Sequence, residues 1–396
     1  MGIPVMSRSA DRLRIAQVAP LAESVPPQMY GGTERIVSYL TEELVRQGHD
    51  VTLYASGDSV TAADLVAITP RAVRLDPEVI DPLSHAVRLV ERVMADADRY
   101  DVIHFHMDHL QLSAMRRLST PSLATMHGRM DLPDLSALYG EFADVPLVSI
   151  SNAQRDPLPD LNWQATVYHG LPMDQIKVST GDGTYLAFLG RTSPEKGLDQ
   201  AIAIARRSGQ PLKIAAKVDP VDEEYFERVI RPLLSGEIEF VGEIAEDQKD
   251  EFLGGASAVL FPIDWPEPFG LVMIEAAARG TPVLAYPRGS VREVIEEGVT
   301  GMVVDDVEQA VAALPSLLSL SRVDIRHAVE ERFSVARMAR DYVEIYGRLM
   351  AAPRRDRPLP ATIHSEQQII TTERIPVSDL GTMNGGTAPD PAPTNT

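Results

Sequence analysis

The stretch from Phe261 to Ala285 leaves this chain few folds to choose from. An apolar strand pattern runs into a loop stiffened by Pro262, Pro266 and Pro268. An apolar helix and a second buried strand pattern follow. Two acids interrupt this segment: Glu267 on the loop and Glu275 inside the helix. A carboxylate on an otherwise apolar helix is costly unless something pairs with it. We read that need as pointing to a ligand. A carboxylate accepts two hydroxyl donors, which suits vicinal sugar or ribose hydroxyls. A solvated Glu267, or an i,i+4 pair of Glu275 with Arg279, is the plainer alternative.

The rest of the chain alternates strand-like and helix-like patterns, the signature of parallel α/β sheets. A first series begins at Arg14 and ends near His169; a second begins at Tyr185. Between them, Gly170 to Thr184 is rich in Gly, Pro and Asp and reads as a linker. A helix is expected over Pro194 to Ser208 and another over Glu223 to Leu234. A last amphipathic helix, Ser334 to Met350, carries Met338, Tyr342 and Ile345 on one stripe. We therefore divide the chain into an N-terminal nucleotide-type domain (12–172), a second such domain (183–333), a C-terminal helix (334–352) and a disordered tail (353–396). The tail lacks aromatic residues and is dominated by polar residues, Pro and Gly.

Composition closes several routes. The chain has 396 residues, 44% of them hydrophobic, enough for two domains. A net charge of −20 argues against nonspecific binding to nucleic acid or to anionic membrane surfaces. There is no cysteine, which excludes disulfides, thiolate nucleophiles and Cys-based zinc sites. No signal peptide or membrane span is expected, so a soluble cytoplasmic protein is the default reading.

Other candidates cluster at strand ends. In Gly190-Arg-Thr-Ser-Pro-Glu-Lys-Gly197, Ser193 and Pro194 look like a helix start. Arg191 and Lys196 would then stand at the positive end of that helix, which makes sense if an anion binds there. A surface Lys196 paired with Glu195 or another acid is the competing account. Tyr30-Gly-Gly-Thr-Glu34 would let backbone approach a ligand through Gly31 and Gly32, or would simply turn the chain. His127 follows a buried strand, at the end of the sheet where α/β proteins bind ligands; a structural histidine is the alternative. His104, His106 and His109 with Asp108 resemble a metal cluster, but a lining of a cleft is the preferred account. Asp96-Ala-Asp98 ends a helix, and chance explains it better than metal binding.

Taken together these motifs resemble the retaining glycosyltransferases of family 4, over about Leu13 to Met350. The parts that carry the likeness are Glu267…Glu275 within Pro-Glu-Pro-Phe-Gly-Leu-Val-Met-Ile-Glu-Ala, Gly190-Arg-x-Ser-Pro-Glu-Lys-Gly, and Gly31-Gly32-x-Glu34. The resemblance implies a GT-B fold: two Rossmann-like domains facing each other across a cleft, with the last helix crossing back to the N-terminal domain. It implies that Arg191 and Lys196 hold the donor diphosphate, Glu275 the ribose and Glu267 the donor sugar. Phe269, Gly270 and Leu271 would offer backbone N–H groups. Gly31 and Gly32 would bind substrate, Gly32 closing over the diphosphate from the other domain, and His127 would sit beside the sugar and help position the acceptor. It further implies transfer from a nucleotide-diphosphate sugar, UDP-glucose first and GDP-mannose second, to a small-molecule or glycan hydroxyl, with no metal or other cofactor. A nonhydrolysing nucleotide-sugar epimerase and a non-catalytic sugar-binding protein are the alternatives. Two departures stand out: Lys217 lies where many members have a glycine-rich turn, and His169 where many have Asn.

Overall fold

The computed structural model describes residues 12–29, 31–179, 181 and 183–352. The expected tail, the extreme N-terminus and Tyr30 lie outside the described residues.

Two all-parallel sheets organise the chain. The first contains β1 (Arg14–Val18), β2 (Asp50–Ser56), β3 (Asp64–Thr69), β4 (Val102–Phe105), β5 (Ser122–Thr125), β6 (Leu147–Ser149) and β7 (Trp163–Thr166). Its spatial order is β3-β2-β1-β4-β5-β6-β7. The second contains β8 (Leu186–Arg191), β9 (Leu212–Lys217), β10 (Ile238–Gly242), β11 (Ala258–Phe261), β12 (Val283–Ala285) and β13 (Gly301–Val303), in the order β10-β9-β8-β11-β12-β13. Each sheet thus reverses direction beside its first strand, between β1 and β4 and between β8 and β11. Crevices at the carboxyl ends of such switch points are where open α/β sheets bind ligands. This is the expected pair of Rossmann-like sheets.

The apolar strands are buried on both faces, as parallel sheets require. In β2 every residue after Asp50 is buried, and all of β5 and β11 is buried. Strand β3 was not expected. It is an edge strand, largely half-exposed, and so lacks the continuous apolar run of its neighbours.

Two expected helices are broken. Pro194–Lys196 is a single 3₁₀ turn, and the α-helix begins only at Leu198 after Gly197, whose φ is 70°. A Cβ on Gly197 would fall 2.0 Å from the Pro262 carbonyl oxygen, so the chain turns there against the neighbouring strand end. The span Glu223 to Leu234 is a short α turn, then π over Phe226–Ile230, then 3₁₀ over Arg231–Leu233. Pro232 lacks the N–H that a regular α-helix would use there.

The chain passes between the halves twice, and the two passages touch. Leu171 N–H donates to Phe333 O, and Val335 N–H to Leu171 O, each at 2.8 Å. At Gly170 a Cβ would lie 2.5 Å from Ser334 O, which leaves room for glycine alone. Beyond this crossing, helix Val335–Ala351 packs Met338, Tyr342, Ile345 and Tyr346 onto Ile15, Leu40, Leu123 and Val148 of the first half. Each such apolar side chain contributes roughly 1.5–3 kcal/mol by burial. That is the crossover helix the sequence led us to expect.

Candidate active site

A cleft of about 720 Å3 lies between the switch points of the two sheets. All ten candidate residues line it: Gly31, Gly32, His127, Arg191, Lys196, Glu267, Phe269, Gly270, Leu271 and Glu275. Two helix starts meet there. One is Gly32 of helix Gly32–Arg46; the other is Leu271 of helix Leu271–Ala278. A Cβ on Gly32 would lie 3.5 Å from Leu271 Cδ1. The first N–H groups of both helices, which no carbonyl of their own helix can accept, therefore border one space. Gly270 makes the second turn possible: its φ is 78°, and a Cβ there would strike Met273 and the Phe261 ring.

On the second half, cations and acids are interleaved. Lys196 Nζ lies 2.8 Å from Glu267 Oε2 and sits over the Trp265 ring, 4.5 Å from its centre. Trp265 Nε1 donates to the same Glu267 oxygen at 2.9 Å. Arg191 reaches Glu195 at 3.1 Å and Asp219 at 3.4 Å, and Lys217 Nζ lies 2.9 Å from Asp219. Buried Glu275 is paired with Lys249 at 2.6 Å; Lys249 also meets Glu246, and Glu246 meets Arg35 of the other half at 2.7 Å. The cations near Glu275, Lys249 foremost, hold its carboxyl below the usual range despite burial.

These contacts correct several expectations. Glu275 does not wait on a ligand for compensation, and its side-chain partner is Lys249, not Arg279. Arg279 instead bonds the Glu275 carbonyl and Asp250. Glu195 pairs with Arg191, while Lys196 takes Glu267. Because the expected helix starts late, Lys196 ends a 3₁₀ turn and is not in the first turn of an α-helix.

Around the cleft, the cations Arg35, Arg74, Arg191, Lys196, Lys217 and Lys249 face the acids Glu34, Asp108, Asp219, Glu243, Glu267 and Glu275. The lining is formally neutral in a chain of net charge −20, so it is a relatively positive spot in an acidic protein. Burial raises the carboxyls of Glu34 and Asp108 above their ordinary range, which reduces the negative side further.

The first half supplies histidines. Burial pushes the His127 imidazole down to about 3, so it is neutral at ordinary pH. His127 Nε2 lies 2.9 Å from His106 Nδ1, and its ring stacks on His169 at 5.4 Å between centres. His169 in turn meets the edge of Phe269 at 4.7 Å. His169, at the end of the first series and just before the linker, belongs to the cleft wall. His104 lies in β4 and His106 just past its end, with their ring centres 4.0 Å apart, but protein partners occupy their ring nitrogens. Asp96 accepts from Tyr54 and Arg92, a structural role.

Arg35, Arg74, Lys249 and Trp265 were missed from sequence. Arg35 directly follows the Gly-Gly-Thr-Glu motif, the one signal that could have flagged it. Lys249 carries no signal, because only the fold brings it to Glu275.

Comparison with known proteins bears on the family and the fold. Residues 30–163 match the family described as Glycosyltransferase Family 4, and residues 173–332 match Glycosyl transferases group 1. The chain is 26% identical over 347 residues to a phosphatidyl-myo-inositol mannosyltransferase of Mycolicibacterium smegmatis, covering 77% of this chain and 85% of that protein. It is 27% identical over 353 residues to a glycogen synthase of Mycobacterium tuberculosis, covering 74% and 84%. Among solved structures, a glycosyltransferase involved in avilamycin A biosynthesis superposes with a TM-score of 0.66 at 25% identity, covering 86% of this chain and 98% of that one.

Proposed function

Since the chain is a glycosyltransferase of the GT-B type, built from a family 4 domain and a group 1 domain, we propose that it moves a hexose from a nucleotide-diphosphate sugar to a hydroxyl with retention at the anomeric carbon. One observation carries the reading: Arg191, Lys196 and the starts of two helices border the same cleft, against the acids Glu267 and Glu275. Charge that builds on a leaving diphosphate needs donors aimed at it before the bond breaks. Arg191, Lys196 and backbone N–H groups at Gly270 and Leu271 meet that need without a metal.

In this scheme Glu275 accepts the ribose hydroxyls and Glu267 accepts hydroxyls of the sugar. His127, neutral and beside the sugar, accepts or donates one hydrogen bond to it. The leaving phosphate takes the proton of the incoming hydroxyl on the face it departs from, and retention follows from that same-face attack. UDP-glucose is the first donor in the reading and GDP-mannose the second. A cytoplasmic setting and a small-molecule or glycan acceptor belong to it as well.

A thermal-shift screen of nucleotide sugars tests the donor. A ligand at a hundred times its Kd stabilises the fold by about 2.7 kcal/mol. NMR of the product formed from UDP-glucose then reports the anomeric configuration. An inverted product would end the retaining mechanism. No shift with any nucleotide sugar, and no donor hydrolysis without acceptor, would end the reading itself.

A further inference from the structure

Beneath the cleft floor lies a buried hydrogen-bonded chain that the proposed reaction has not yet used. Gln17 on β1 is fully buried. Its Oε1 lies 2.8 Å from His106 Nε2, and its Nε2 lies 3.1 Å from the Tyr346 hydroxyl. That hydroxyl lies 2.8 Å from His104 Nδ1, and His104 Nε2 lies 2.7 Å from Thr125 Oγ1. Thr125 ends at the Tyr342 hydroxyl, 2.9 Å away. On its other side, His106 meets His127 as described.

The chemistry of the amide sets the protons along this chain. A side-chain carbonyl oxygen only accepts, so His106 Nε2 carries the hydrogen. Burial, with some help from the neighbouring histidines, keeps His106 neutral, so its Nδ1 has a lone pair and can only accept. His127 Nε2 must then be the donor, and His127 Nδ1 is left as a bare acceptor. That Nδ1 is buried and has no hydrogen-bond partner among the described residues. Turning the Gln17 amide over would reverse every proton in the chain and leave His127 Nδ1–H orphaned. A buried orphan N–H is the costlier outcome, since under-used acceptors are tolerated more often.

We infer that Gln17 is a positioning residue that fixes the His127 tautomer and leaves Nδ1, which is buried here, as the bare nitrogen that a small shift of the ring on donor binding would uncover to a sugar hydroxyl. In that orientation the Tyr346 hydroxyl is the acceptor for the Gln17 amide N–H, which would otherwise be an orphaned donor. The last helix therefore does more than cover the N-terminal sheet: its tyrosine is a member of the hydrogen-bonded chain that ends at His127. The role of the tautomer rests on the glycosyl-transfer reading; the tautomer itself does not.

Nitrogen-15 NMR of the full chain, labelled at histidine and assigned through single His→Gln variants, reads the ring protonation without substrate. The expected spectrum has His127 protonated at Nε2 and bare at Nδ1. Gln17→Leu should mix the tautomers of His106 and His127, and Tyr346→Phe should shift the same signals less. With UDP-glucose as donor, Gln17→Leu should lower kcat about tenfold while the affinity for UDP is unchanged. A wild-type His127 protonated at Nδ1 would overturn the inference, as would an unaltered tautomer in folded Gln17→Leu. If Gln17→Leu does not fold, an unaltered spectrum in Tyr346→Phe overturns it. If wild-type protein transfers no sugar, the spectra still decide the tautomer, and the failure belongs to the functional reading.

Discussion

Lys196 Nζ and Glu267 Oε2 stand 2.8 Å apart, although sequence reasoning assigned one to the diphosphate and the other to the sugar. The two roles are compatible because an ammonium has three donors in different directions. Lys196 can hold Glu267 with one and reach a phosphate oxygen with another. The pair thus places the carboxylate and the cation at the junction where sugar and leaving group would part.

Lys196→Ala should lower turnover by roughly 10²–10³, the cost of losing one donor aimed at developing charge. Normal turnover in a protein with native circular dichroism would refute the assignment. In urea denaturation, Lys196→Ala and Glu267→Ala should couple by about 0.5–3 kcal/mol, as residues in one ion pair do. Additive losses would mean that the pair contributes nothing.

Glu275→Ala should weaken nucleotide binding itself, while Glu267→Ala should spare the nucleotide and impair sugar handling. Calorimetry with UDP and with UDP-glucose separates the two, and the opposite pattern would show the roles to be exchanged. Lys249→Ala adds a structural control. It leaves Glu275 buried without its main partner and should destabilise the fold by about 3–5 kcal/mol. Glu275→Gln in the Lys249→Ala background should recover much of that loss in the same denaturation assay.

Stability should fall on mild acidification. Burial holds His104, His106, His127 and His169 below the ordinary imidazole value of 6.5. Below that value the unfolded chain protonates them while the folded chain does not, until pH nears about 3 for His127. The unfolded state then binds more protons, so stability drops as pH falls through this window and is flat above it. Each such histidine adds a slope of about 1.4 kcal/mol per pH unit. Urea midpoints at about pH 7.0 and about pH 5.5, both above the ordinary carboxylate values, would reveal the net loss, which the burial-raised Glu34 and Asp108 oppose. His127→Gln should make it shallower, and identical midpoints would count against the burial.

Two left-handed glycines should differ. Gly197 and Gly209 have φ of 70° and 67°. A Cβ on Gly209 meets nothing within 4 Å, whereas on Gly197 it meets the Pro262 carbonyl at 2.0 Å. Gly209→Ala should cost about 1–2 kcal/mol, the penalty of the backbone conformation alone. Gly197→Ala should cost more and should also displace Lys196, lowering turnover. Equal melting temperatures for the two variants would contradict the packing account.

The central strands were legible because each is a short apolar run closed by a turn signal, as in Val51–Ser56 or Ser122–Met126. The edge strand β3 and the three-residue β13 were not, because neither is long and continuously apolar. Helix breaks at Gly197 and Pro232 were written in the sequence but were outweighed by the helical periodicity on either side. Among functional groups, those embedded in compact motifs were found: Arg191, Lys196, Glu267, Glu275 and the glycines. Gln17, Lys249 and Tyr346 were not, since each meets its partner only across the fold. Gln17 and Tyr346 are 329 positions apart in the chain.

By itself the sequence determined the twin α/β series, the amphipathic last helix and the local groups able to meet an anion and a set of hydroxyls. Those are properties of period, turn chemistry and short-range spacing. Tertiary structure decided which acid meets which cation, that Gly32 faces Leu271, and which nitrogen of His127 carries a proton. The physical reason is that a charge or a tautomer is set by what lies within about 3 Å of it, and at that distance neighbours in space need not be neighbours in the chain.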